Sequence, residues 1–361
     1  MFTIDFQNLS ESELCSRAKE AVSSSIPLWE KEIWQFILQW YGPATEVEIY
    51  TSGSTGTPKA IKHSKQAMVN SAKLTCSYLQ LKEGITALLC LPVNRIGGMM
   101  MVVRGIVNKM KLICLEPSAN PLAQLAKDNL PQFAALTPMQ LYPVKDSYDL
   151  FRLSEQVDCI ILGGSEVPRG LTELINNMTN RVYATYGMTE TISHIALKRL
   201  SGKNRDKHFQ VLPGITARRD ERGCLVIDAP LLNIQGLSTN DVVELYGQNQ
   251  LDWLGRLDNV INTGGIKVYP EQLEEEMRER VLVPFFIAGI PDERTGQKVV
   301  MVIERATISE NELELLNSYL QNMDSKTRPK ELLLTIRFSK TANGKLKRAE
   351  SLLAAENRIP L

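Results

Sequence analysis

At 361 residues the chain exceeds the length at which one hydrophobic core keeps growing, which predicts two domains. Hydrophobic residues at 43% and charged residues at 23% exclude a disordered or fibrous chain. Lys plus Arg (41) balance Asp plus Glu (41), so there is no global field to attract nucleic acid or an acidic membrane surface. Residues 1–15 (MFTIDFQNLSESELC) lack a basic start followed by an apolar stretch, and no apolar run approaches the roughly 18 residues of a membrane span. A cytoplasmic protein without an integral membrane segment is therefore expected. The cysteines (Cys15, Cys76, Cys90, Cys114, Cys159, Cys224) form no CxxC pair, and several sit in apolar runs, so they read as reduced core residues. His63, His194 and His208 have no ligand-like spacing, and a zinc site is not expected.

In chain order, SESE at 10–13 reads as a capping box opening a helix, and an apolar-rich segment follows over 27–41. Short apolar runs at 46–50, 87–91, 111–115, 133–137, 158–162 and 181–185 read as buried strands. Helix-like segments separate most of them, at 65–81, 96–110, 121–130 and 168–178. This alternation predicts a layered α/β domain with a largely parallel sheet. Such sheets bind ligands at the carboxyl ends of their strands. Three stretches fall at those ends: TSGSTGTPK after 46–50, GGSEVP after 158–162 and YGMTE after 181–185. From about Gly223 the pattern turns to strands and turns. From about Leu257 a further unit shows a helix over 270–280, strands at FFIAGI and KVVMVIE, a helix over 309–323 and the basic motif KTANGKLKR. The predicted fold is α/β: a large N-terminal layered α/β domain over residues 1–256, then a small mobile α+β domain over 257–361.

In TSGSTGTPK, backbone N–H groups and the hydroxyls of Thr51, Ser52, Ser54 and Thr55 suit phosphate oxygens, with Lys59 as a point charge. It is not the Gly-x4-Gly-Lys-Ser/Thr loop, since Gly53 and Gly56 stand three apart and Lys59 follows Pro58. A solvated turn between strand and helix also explains the stretch. In YGMTE, Tyr186 offers a ring, Gly187 close backbone approach, Thr189 a hydroxyl and Glu190 a carboxylate for Mg²⁺, though a strand-end turn explains it almost as well. In KTANGKLKR, Lys345 belongs either to a basic solvated hairpin or to a site where it neutralises charge developing between a carboxylate and a phosphate.

Together with Asp241 in STNDVVEL and the stretch GRLDNVINTGGIKVYPEQLE, these pieces resemble, in order and over residues 50–348, the adenylate-forming superfamily of acyl-CoA synthetases, non-ribosomal adenylation domains and luciferases. The resemblance implies an abbreviated form of that fold and assigns roles by position. Thr51, Ser52, Gly53, Ser54, Thr55, Gly56 and Lys59 would hold the ATP phosphates. Gly163, Gly164 and Ser165 would line the adenine, Tyr186 would stack on it beside Gly187 and Thr189, and Glu190 would ligate Mg²⁺. Asp241 and Arg256 would grip the ribose hydroxyls, a task that suits a carboxylate able to accept from both. Asp258 would be the hinge, Lys345 the lysine of the adenylation step, and Gly264 and Gly265 the lining of the CoA channel. The implied reaction has two steps: a carboxylate attacks the α-phosphate of ATP, then the small domain swings and a CoA thiolate displaces AMP.

The whole-chain pattern, especially LCLPVNRIGGMMMVVRGIV and YGMTETISHIAL, is similar to the o-succinylbenzoate-CoA ligases of menaquinone biosynthesis, in a short form. Two departures stand out. Val93-Asn94 occupies the place of an aromatic-His pair in many relatives, and the segment before TSGSTGTPK is short, implying an abbreviated N-terminal region. A dicarboxylic acid needs one carboxylate activated and the other held. Arg104, inside an apolar helix, is the candidate for the second, with Ser193 and His194 as further acyl-pocket residues. Alternatively Arg104 reaches solvent or pairs with an acidic residue, and His194 is a packed or surface histidine. Activation of another aryl or short acyl acid, or loading of a carrier protein, is the alternative among enzymes. A non-catalytic nucleotide-binding homologue is opposed by the retention of Lys345, Glu190, Asp241 and Arg256. The oligomeric state and any acylation of Lys345 are not readable from the sequence.

Overall fold

The computed structural model describes residues 1–51, 59–125, 130–144, 148–340 and 346–361. Five short strands, Lys111–Cys114, Thr86–Leu89, Phe133–Leu136, Cys159–Leu162 and Arg181–Gly187, run parallel in that spatial order and form the middle of a 12-stranded sheet. Their residues alternate between two faces that are both covered. Phe133 and Ala135 belong to one buried cluster, Ala134 and Leu136 to another. Such strands read as continuous apolar runs, as the sequence does. Helices Lys65–Tyr78 and Ile96–Val107 pack on one face; the first is capped by Ser64, whose hydroxyl accepts from the Ala67 amide. Ser10 and Glu13 form the expected capping box of the Glu11–Ser23 helix.

Three expectations need correction. The Glu46–Thr51 strand does not join the large sheet. It pairs antiparallel with Lys59–Ser64 as a separate two-stranded hairpin, with Thr51 opposite Lys59. A hairpin strand and a sheet strand share the same alternating pattern, so the sequence could not separate them. The helix expected over 121–130 is a single 3-10 turn, Pro121–Gln124, within the described part of that range. The antiparallel half of the sheet begins at His194–Arg199 rather than near Gly223, and continues through Phe209–Val211, Gln250–Arg256, Ile234–Tyr246, Cys224–Ala229 and Thr216–Arg219. Beyond these, Phe2–Asp5, for which the sequence carried no expectation, pairs antiparallel with Lys111–Cys114 at the far edge.

A second, six-stranded sheet starts at Ile261–Thr263, immediately after the 3-10 turn Leu257–Asn259 that follows the last strand of the large sheet. Its Gly296–Glu304 strand pairs parallel with Glu331–Thr335, and the Glu310–Gln321 helix makes the crossover. The molecule is thus a large sheet-rich domain followed by a smaller one. The Pro270–Met277 helix of the smaller part lies against the larger: Glu275 Oε1 accepts from the Arg169 amide at 2.5 Å. That amide opens the Arg169–Asn176 helix, which has Pro168 at its N-cap and no side-chain cap of its own. All six cysteines are free and five are buried. Among the described residues no helix is long and apolar enough to cross a membrane.

Candidate active site

The register of the parallel strands, with Leu162 opposite Ala184, brings the 163–165 loop and the end of the Arg181–Gly187 strand to the same sheet edge. Gly164 and Ser165 are exposed there. The chain then turns back through 188–193 into the His194–Arg199 strand. A Cβ at Gly187 would stand 2.4 Å from the Ser193 carbonyl oxygen and 2.5 Å from the His194 Cα, so glycine is required for the two strands to close.

Asp241 and Arg256 are directly opposed on the strands Ile234–Tyr246 and Gln250–Arg256, so strand register alone makes the pair. Arg256 Nη1 lies 3.4 Å from Asp241 Oδ1, and the Tyr186 hydroxyl donates to Oδ2 at 2.8 Å. Burial and the neighbouring Asp241 carboxylate push the Tyr186 phenol well up, which keeps it a hydrogen-bond donor. Arg256 Nη2 reaches Asp258 at 3.3 Å, so one guanidinium joins the expected ribose residue to the expected hinge. Arg256 is 41% exposed at its side chain, so the Asp241 contact contributes at most about 1 kcal/mol before a ligand excludes water.

Thr189 and Glu190 sit on the 3-10 turn Thr189–Thr191. His63, from the second strand of the hairpin, donates through Nε2 to the Thr189 carbonyl at 2.7 Å. This contact ties the hairpin that brackets residues 52–58 to the turn that presents the exposed Glu190 carboxylate. The next residue but one breaks a rule. Ile192 has φ 66° and ψ −49°, and the Ser193 amide donates to the Thr191 carbonyl at 2.7 Å, closing a γ-turn. A β-branched residue at positive φ costs about 1–3 kcal/mol and persists only when surrounding contacts impose it.

The γ-turn aims Ser193 inward. Its Oγ accepts from Arg104 Nη2 at 2.6 Å. Arg104 is 2% exposed, on the last turn of the apolar Ile96–Val107 helix. It neither reaches solvent nor pairs with a carboxylate among the described residues; its other contacts are Thr75 Oγ1 at 3.5 Å and Met101 Sδ at 3.8 Å, and its buried Nε has no partner. Burial pulls its pKa down to about 10, so the guanidinium is still charged at neutral pH. His194 lies behind this group. Its Nε2 is 3.0 Å from Thr75 Oγ1 and its Nδ1 is 3.4 Å from Ser193 Oγ. Burial, then the Arg104 charge, hold the imidazole well below its ordinary pKa, so it is neutral.

Ser52, Gly53, Ser54, Thr55, Gly56 and Lys345 lie outside the described residues, and Thr51 and Lys59 are described as strand backbone only. Gly264 and Gly265 form the exposed turn between Ile261–Thr263 and Ile266–Val268; both have positive φ, at 59° and 81°, as a tight hairpin turn requires. Asn94 donates to Glu32 at 3.0 Å. Thr75 and His63 escaped the sequence reading. Thr75 sits 119 residues from its partner His194, and His63 126 from Thr189, so neither pairing leaves a local pattern.

Residues 45–218 match the family model described as AMP-binding enzyme. The chain is 27% identical over 317 residues to the 2-succinylbenzoate–CoA ligase of Haemophilus influenzae, covering 82% of this chain and 67% of that protein. It is 27% identical over 269 residues to the protein of the same name from Escherichia coli, covering 70% and 57% respectively. The chain therefore spans 57–67% of the length of these two relatives. Among solved structures it is similar to an acyl-CoA synthetase (AMP-forming)/AMP-acid ligase II-like protein from Dyadobacter fermentans, with 35% identity and a TM-score of 0.62, over 98% of this chain and 99% of that one. It shares the fold of the Bacillus subtilis o-succinylbenzoate CoA synthetase in complex with its acyl-adenylate intermediate, with a TM-score of 0.72 and 20% identity over 98% and 82% of the two chains.

Proposed function

Because this chain belongs to the AMP-binding enzyme family, we propose that it is an AMP-forming acid–CoA ligase that activates o-succinylbenzoate with ATP and transfers the acyl group to CoA. One observation carries the choice of acid. Arg104 is a fully buried cation without a carboxylate partner among the described residues, and Ser193 links it to the stretch that bears Tyr186 and Glu190. A buried guanidinium left without a counter-charge is costly, and the natural compensation is an anion supplied by the ligand. A monocarboxylic acid consumes its single carboxylate in adenylation. A dicarboxylic acid has one to spare.

In the first step one carboxylate of the acid attacks the α-phosphate and pyrophosphate leaves. Residues 51–56 and Lys59 hold the β- and γ-phosphates, Asp241 and Arg256 accept from and donate to the ribose hydroxyls, and Lys345 neutralises charge at the phosphorus. Glu190 suits Mg²⁺, because it is exposed, forms no ion pair among the described residues and sits on a turn that His63 ties down through the Thr189 carbonyl. Bound there, the ion would offset charge on the triphosphate. Arg104 and Ser193 orient the acid from its far carboxylate, so that the reacting carboxylate approaches the α-phosphate in line. In the second step residues 257–361 rotate about Asp258, withdrawing Lys345 and presenting the Gly264-Gly265 turn to CoA, whose thiolate displaces AMP.

The test is mass-spectrometric detection of thioesters after incubation with ATP, Mg²⁺, CoA and a panel of o-succinylbenzoate, benzoate and short fatty acids, with Lys345→Ala as control. A dominant o-succinylbenzoyl-CoA signal that disappears in the control is expected. Pyrophosphate release with a different acid would overturn the substrate, and the absence of turnover with every acid would overturn the ligase reading.

A further inference from the structure

We propose that His194 is a positioning residue: a neutral imidazole whose tautomer decides whether the Ser193 hydroxyl donates to the carboxylate that Arg104 binds. The proposal rests on the reading of Arg104 as an anchor for a substrate carboxylate. Its own basis is a closed ring of contacts. Arg104 Nη2 donates to Ser193 Oγ at 2.6 Å, Ser193 Oγ faces His194 Nδ1 at 3.4 Å, His194 Nε2 faces Thr75 Oγ1 at 3.0 Å, and Thr75 lies 3.5 Å from Arg104 Nη2. Thr75 also stands 3.1 Å from the Ser71 carbonyl.

Counting protons leaves two arrangements. A neutral imidazole carries one N–H, and each hydroxyl carries one O–H. In the first, Thr75 donates to Ser71, His194 Nε2–H donates to Thr75, and Nδ1 accepts the Ser193 proton. Ser193 then has nothing to give a ligand. In the second, Thr75 donates to Nε2, Nδ1–H donates to Ser193, and the Ser193 proton is free to point at an incoming carboxylate. Both use the same three protons. The Ser71 carbonyl favours the first arrangement in the free protein, and an anion beside Ser193 favours the second, since a hydrogen bond to a charged acceptor is the stronger kind. The strained γ-turn at Ile192 is the backbone counterpart, because it fixes the direction of the Ser193–His194 pair.

The measurement is imidazole ¹⁵N NMR of the full chain with o-succinylbenzoate as the probe, the three histidines being assigned with His63→Gln and His208→Gln. The expected result is a His194 that stays neutral from pH 6 to 8 and moves from the Nε2–H to the Nδ1–H tautomer on saturation. A merely structural histidine would keep its tautomer, and that result, or a charged imidazole, overturns the proposal. Thr75→Val supplies an independent reading: KM for the dicarboxylic acid should rise about tenfold while KM for ATP moves less than about twofold. Equal changes in both, or none, overturn it. If o-succinylbenzoate is not turned over, the substrate reading falls, and the same titration with the acid that is turned over decides the role of His194.

Discussion

The Tyr186–Asp241–Arg256 cluster draws on the strand that enters the 188–193 turn and the Arg104–Ser193–His194 cluster on the residues that leave it, yet among the described residues only the first carries its own counter-charge. Asp241 has a guanidinium on one oxygen and a phenol on the other. Arg104 is more deeply buried and, among the described residues, has a serine, a threonine and a thioether as partners. The first arrangement is a self-sufficient strand-register pair that a ligand can borrow. The second is an incomplete one, tolerated because the rest of the core is large, and under the proposed function the second carboxylate of the acid completes it. The difference separates a group that supports the fold from a group held ready at the expense of the fold.

The largest effect should come from breaking that difference at Arg104. Arg104→Met removes an unpaired buried charge and replaces it with apolar volume. We expect kcat/KM for the dicarboxylic acid to fall roughly 100-fold, about 3 kcal/mol, with KM for ATP nearly unchanged. The same variant should be more stable than the parent by about 1–4 kcal/mol in urea unfolding. Activity and stability would move in opposite directions. If both fell together, Arg104 would be a structural strut and the contrast between the clusters would vanish.

Asp241→Asn tests the other side. It keeps the shape but removes the charge shared by Arg256 and the Tyr186 hydroxyl, so KM for ATP should rise roughly 10–30-fold, about 2 kcal/mol, with little change for the acid. A comparable rise for the acid would show that the two clusters act as one. Tyr186→Phe is milder: it leaves one Asp241 oxygen without its donor while water and Arg256 remain. Its cost should be about 1 kcal/mol, read as an unfolding midpoint shift.

These expectations also mark what was legible beforehand. Tyr186, Gly187 and Glu190 fall within five residues, and Asp241 and Arg256 sit in recognisable strand motifs, so their convergence follows from local pattern plus the rule that ligands gather at strand ends. Arg104 could be flagged as a charge in an apolar helix, but its three possible fates were separable only with coordinates. The Thr75–His194 contact had no signal, because a threonine on a buried helix face resembles any small core residue. The hairpin at 46–64 was misread for a related reason: period-two alternation reports that a strand exists, not which sheet it joins. Residues 52–58, where the sequence argument was densest, lie outside the described residues, so their proposed role at the ATP phosphates rests on the motif.

A third region sharpens the comparison from the negative side. Where the Pro270–Met277 helix meets the 163–170 stretch, Glu166 faces Glu275, Glu271 and Glu274, with Arg278 as the opposing charge. Desolvation first, and those carboxylates next, push the Glu166 carboxyl up to about 7. The folded pKa is raised, so the neutral form favours the contact. Its contribution is fully present below the ordinary carboxyl range and is lost as pH rises through about 7. Glu166 is exposed, so water screens the effect and it should be the smallest of the four. The amide to watch is that of Arg169, which donates to Glu275 across this contact. After correction for intrinsic exchange chemistry, its protection should be greater at pH 6 than at pH 8, and Glu166→Gln should flatten that difference while retaining the protection seen at pH 6. If the slope survives in the Gln variant, the Glu166 carboxyl does not set it and the contact does not depend on its charge.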